Sequence, residues 1–142
     1  MRLIVEIEGQ GTRAAIPRDG ADLVALMSFA LARGFGASHP LIDLADRLHR
    51  VHHISLGPLT TFYEADTEDA EDVAKYELAW QQPGPLRESL GAIAGALRDD
   101  PEAKRLADDA GAGELADECD ALAAVAASAE AAAARIRLGY RL

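Results

Sequence analysis

The sequence predicts an α+β fold, in which a small N-terminal antiparallel sheet is followed by a helical part ending in a long alanine-rich helix. Three observations carry this reading. Leu3, Val5 and Ile7 alternate with Ile4, Glu6 and Glu8, the period of a strand with one buried face. From Asp22 onward apolar residues recur at three and four residues, the period of helices that bury one side. Alanine supplies 30 of the 142 residues and concentrates toward the C-terminus. A chain of this length builds one core, so residues 1–142 are expected to form a single domain, with a mixed strand and helix subregion over 1–63 and an acidic helical subregion over 64–142.

The first strand is followed by Gly9-Gln10-Gly11, whose glycines accept a positive φ, and the run Thr12-Arg13-Ala14-Ala15-Ile16 is expected to return beside it as a hairpin. Leu23, Leu26, Met27, Ala30 and Leu31 then give a helix, capped by Asp19 or Asp22 and stopped at Gly34 and Gly36. A second helix over residues 40–53 has Leu41, Leu44, Ala45, Leu48 and Val51 on one face, with Ser38 or His39 before a first-turn proline. Leu59 to Tyr63 is rich in β-branched and aromatic residues, which predicts a third strand.

The remainder reads as helices: residues 66–81, a stripe of Leu86, Leu90, Ile93, Ala94 and Leu97, a short helix over 101–110, and a last helix over 114–138. That last helix places Leu115, Leu122, Ala129 and Ile136 at seven-residue intervals, with Val125 and Ala132 between them. This seam of small residues suits close packing, either antiparallel on the 86–98 helix, where Gly91 and Gly95 also permit approach, or against a second copy of the chain. About 25 residues of helix would reach nearly 38 Å, which favours a homodimer.

Charge excludes some classes of function. The net charge is -10, and all of the acid excess lies beyond residue 63, so a phosphate backbone and an anionic membrane surface are both repelled. No apolar run is of spanning length, Glu6 arrives too early for a secretory signal, and the one cysteine, Cys119, forms no internal disulfide; a cytoplasmic protein is expected. Cys119 stands between Glu118 and Asp120, whose charges oppose a thiolate. No serine lies in a Gly-x-Ser-x-Gly elbow, and no glycine run completes a phosphate loop.

Two constellations bear chemistry. Asp46, His49 and His53 share one helical face, and two imidazoles four apart with a carboxylate can begin a zinc or iron site that His39 or Glu64 would complete. Arg47 and Arg50 oppose a cation there, and histidines in a last turn also serve the negative end of a helix. The run Glu64, Asp66, Glu68, Asp69, Glu71 and Asp72 lacks the glycine and ligand alternation of a calcium loop. It reads as acids at a helix N-terminus, or as a surface for a basic protein. The expectation that follows is a non-enzymatic protein-interaction module, homodimeric and without a cofactor, holding a basic partner on an acidic helical surface. The alternative is a small metal-binding protein or metal-dependent enzyme built on the histidine helix.

Overall fold

The computed structural model describes residues 1–11, 15–66 and 70–142. Four strands, β1 (Arg2–Ile7), β2 (Phe62–Glu64), β3 (Trp80–Gln81) and β4 (Ile136–Arg141), form one sheet. The helices are α1 (Ala21–Leu31), α2 (Pro40–Arg50), α3 (Ala70–Leu78), α4 (Pro83–Asp99), α5 (Pro101–Asp109) and α6 (Leu115–Ala131). The α+β class is therefore as the sequence predicts. Among the described residues no helix is long and apolar enough to cross a membrane.

The partner of β1 is not the expected one. β1 runs antiparallel to β4 along its whole length, from Arg2 opposite Arg141 to Ile7 opposite Ile136. Of the run expected to return as the hairpin's second strand, residues 12–14 lie outside the described residues, while Ala15 and Ile16 are in no strand. Alternation marks a strand but does not name its partner, and β1 pairs here with a distant strand of complementary face. The opposite edge of β4 is shared: β2 runs parallel to residues 138–140, and β3 antiparallel to residues 136 and 137.

Register divides the sheet into two faces. Leu3, Val5 and Ile7 lie opposite Tyr140, Leu138 and Ile136, and these residues join the core with α1, α2, α4 and α6. On the other face Glu6 lies opposite Arg137, which is opposite Trp80 in turn, and Tyr63 lies opposite Gly139. The ring of Tyr76 on α3 packs edge-on against Tyr63 there, with centroids 4.8 Å apart.

The last helix is shorter than the heptad spacing suggests. It ends at Ala131, where Ala133 adopts φ 53 and the Ala134 N–H donates to the Ala129 carbonyl (3.0 Å), closing the helix in a left-handed turn. The seam is corrected accordingly. Leu115, Leu122 and Ala129 are buried inside this chain where α6 packs on α4, Val125 is only partly buried, Ala132 is exposed beyond the last turn, and Ile136 belongs to β4. The packing is antiparallel, since Arg98 at the end of α4 meets Asp117 and Asp120 near the start of α6, while Arg87 near its beginning meets Glu130 (2.7 Å). Gly91 and Gly95 look onto open space and take no part in that contact. Of the expected seam, α4 covers Leu115, Leu122 and Ala129, while Val125 and Ala132 keep exposed surface.

Smaller boundary shifts have local causes. The expected 66–81 helix is broken into α3 and β3, because Trp80 and Gln81 pair with β4. The third strand starts at Phe62, since Gly57–Leu59 form a 3-10 turn. α4 begins at Pro83, a residue whose missing N–H costs nothing in a first turn. α2 is capped by His39, whose Nδ1 accepts from the Leu41 N–H (3.1 Å).

Gly139 is required by contact. A Cβ built there would lie 2.5 Å from the Tyr63 ring, so any side chain forces β2 away from β4. Replacing Gly139 with alanine is expected to destabilise the fold by about 1–3 kcal/mol, as overpacking commonly does, in urea unfolding followed by the fluorescence of Trp80. Adding Tyr63→Leu should recover part of that loss, and no recovery would show that the steric account is wrong.

Candidate functional site

The structure does not bring the candidate ligands of the histidine helix together. Asp46 is held by Arg50 one turn later (3.0 Å), and His49 donates from Nδ1 to the Ile54 carbonyl (3.3 Å). His53 lies beyond the end of α2, exposed and with φ 56, so it leaves the face that the helical spacing assigned to it. His39 is stacked on Phe29, with ring centroids 3.9 Å apart. Glu64 is on β2 and hydrogen-bonds Tyr140. Among the described residues no group of three or more histidine, cysteine or acidic side chains is placed to hold a metal ion.

The acidic run is likewise dispersed. Asp66 pairs with Arg141 (3.1 Å) and accepts from the Leu142 N–H (3.2 Å), tying the end of β4. Glu71 is exposed on α3; Glu68, Asp69 and the side chain of Asp72 lie outside the described residues. Cys119 is wholly buried, and burial, more than the neighbouring Glu118 and Asp120 charges, pushes its thiol up. Phe35, between α1 and α2, is 84% exposed.

Two clusters that the sequence reading missed are structural hubs. Asp100 receives Nε of Arg47 (2.7 Å) and Nε2 of His52 (2.7 Å), and it caps α5 by accepting from the Glu102 N–H (3.1 Å). Hydrogen bonds from Arg47 and then His52 hold its carboxyl well below the usual carboxylate range. The proline-flanked Asp99-Asp100 pair signals a helix junction in the sequence, but its partners lie 53 and 48 residues away. The second hub is Arg137, only 5% exposed, which donates from Nε to Glu6 (2.8 Å) and from Nη2 to the Tyr76 hydroxyl. Its guanidinium lies 3.5 Å from the Tyr76 ring centroid and 4.1 Å from that of Trp80, a cation sandwiched between two aromatic faces.

The remaining candidate is a groove where α4, α5 and α6 converge. Its volume is about 280 Å³, and Leu97, Ala107, Ala112, Leu115 and Ala116 supply an apolar lining. Its small residues come from the alanine-rich sequence and the Gly111–Gly113 connection, which leaves room where larger side chains would close the gap. Arg98, Lys104 and Asp108 complete the lining. Arg98 is committed to Asp117 (3.3 Å) and Asp120 (2.6 Å), and on the side of α5 toward α2 Arg105 is committed to Glu102 and to Asp109 (2.7 Å). Each of these arginines thus meets two acids. Asp99, Asp108 and Lys104 are left with no ion pair among the described residues, so the groove and its rim hold the acids Asp99, Asp108, Asp117 and Asp120 against the cations Arg98 and Lys104. A wider cleft of about 520 Å³ between α2 and α5 has its arginines and acids interlocked, Arg50 with Asp46 and Arg105 with Glu102.

Removing the carboxylate of Asp100 is expected to lower the melting temperature, with a sign set by its depressed pKa. The native contribution is present above the ordinary value of 3.8 and is lost as the pH falls below it, so the gap between Asp100→Asn and the parent should narrow in acid melts. A gap that widens toward low pH would contradict the assignment. Arg137→Ala leaves Glu6 charged in a half-closed site and should cost about 3–5 kcal/mol in urea unfolding, while Glu6→Gln combined with Arg137→Met should cost markedly less. No family model matches the chain, and no curated protein or solved structure does so either.

Proposed function

We propose that this protein is a non-enzymatic interaction module that receives a basic partner on the acidic face formed by α4, α5 and α6. The observation that supports this reading is the apolar groove of about 280 Å³ set among acids that outnumber their cations. An apolar lining desolvates an anchoring side chain, and an acidic surround selects lysine or arginine beside that anchor and speeds its approach. A partner helix with one leucine-sized residue flanked by basic residues meets both demands. The acidic surface of this proposal lies around the groove, with Asp99, Asp108, Asp117 and Asp120, instead of on the 64–72 run.

A leucine and lysine peptide of about 14 residues, with leucines at helical spacing, is a direct probe. It is expected to bind the full chain at least about tenfold more tightly than a lysine-only peptide of equal length, because only the former fills the groove. Amide shifts should centre on Leu97, Ala107, Ala112 and Ala116. Asp108→Lys with Asp117→Lys should weaken binding and flatten its dependence on salt between about 50 and 300 mM. Ala116→Leu, which fills the groove, should weaken binding without changing that dependence. Equal binding of the two peptides, or shifts centred elsewhere, would sink the proposal.

A further inference from the structure

The entry to α1 is strained, and α6 holds it. Arg18, Asp19 and Gly20 follow one another with φ of 55, 57 and 65, a left-handed run that two non-glycine residues adopt only when their surroundings compel it. Gly20 is pressed against β1, since a Cβ there would lie 2.7 Å from that of Leu3. α1 then begins without a side-chain cap from its own turn. The cap comes from α6: the Leu23 N–H donates to Glu118 Oε1 (3.1 Å) across 95 residues. The exchange is mutual, because the Glu114 N–H at the start of α6 donates to Asp22 Oδ2 (3.0 Å), and Arg18 pairs with Glu114 (3.1 Å).

Glu118 is wholly buried, and its second oxygen, Oε2, has no hydrogen-bond partner. A buried carboxylate with an unpaired oxygen is far more costly than the neutral acid. Burial pushes the Glu118 carboxyl up to about 7, and the negative charge of the Asp22 carboxylate adds to this, while the backbone N–H groups of Leu23 and Asp22 and the charge of Arg18 oppose it. We propose that Glu118 is a pH-sensitive latch: as a neutral acid it holds α1 and its strained entry turn against α6, and on losing its proton it loosens that contact so the turn can relax.

The groups that face it are Asp22 from α1, Arg18 from the entry turn and Glu114 from the start of α6. The native state keeps a proton that the unfolded chain releases near 4.5. Stability from this group is therefore full below that value, falls as the pH rises toward 7, and stays level above it. The device is independent of the groove and its partner.

Carbon NMR of the full chain, following the Glu118 carboxyl, tests this together with hydrogen exchange. The midpoint is expected near 7. Protection of the Leu23 amide, corrected for intrinsic exchange, should fall about tenfold or more between pH 6 and 8 relative to core amides of α4. Glu118→Gln should remove that fall, and Asp22→Asn should lower the midpoint. A midpoint below about 5.5, or the same fall in Glu118→Gln, would overturn the latch. If Glu118→Gln does not fold, the parent midpoint and its response to Asp22→Asn decide the matter, and an unmoved midpoint overturns the proposal.

Discussion

Every strand in the sheet pairs with β4, so the architecture depends on the last six-residue strand finding its place between β1 and the β2–β3 edge. That pairing joins the two ends of the chain and creates both faces of the sheet at once. Ile136, Leu138 and Tyr140 complete the apolar face, and Arg137 and Gly139 complete the other. A one-residue slip would bring Arg137 toward the core and Leu138 toward Tyr76, which is why the register is strongly determined. It also makes folding wait on a contact between distant ends, a kind of closure that slows folding more than it weakens the fold.

The arginines stabilise this arrangement by staying close to acids. Arg137 is desolvated and would be untenable without Glu6 and the rings of Tyr76 and Trp80. Asp100 joins the end of α2 to the α4–α5 junction through Arg47 and His52. Exposed pairs such as Arg87 with Glu130 contribute little each, but they fix the direction in which α6 lies on α4. With net charge -10, pairing uses most of the arginines and leaves acids over, Asp99 and Asp108 beside the α4–α5–α6 groove among them.

Much of the helical framework was legible because its cause is local. Pro40, Pro101, the stripe from Leu86 to Leu97 and the spacing from Leu23 to Ala30 each mark a helix through residues three or four apart, and those helices are present. The strand over residues 3–7 was legible for the same reason. The groove was legible only as a surplus of alanine and acid over the second half of the chain. Asp46, His49 and His53 show the limit of such reading. Helical spacing puts them on one face only while the helix lasts, and α2 stops at Arg50, before His53.

By itself, then, the sequence determined the class of fold, the positions of most helices, the first strand and the sign of the surface, because propensity, periodicity and net charge act between near neighbours or over the whole chain. Only the tertiary structure decided that Ile136 ends a sheet instead of extending a helix, that β1 pairs with residues more than 120 positions away, and which acids remain without a cation. Glu118 belongs with these: its place in the chain is one acid among many on an alanine-rich helix, and its burial against the start of α1 comes from packing. Contacts of that kind are chosen by complementary faces brought together in three dimensions, and no local pattern encodes the partner.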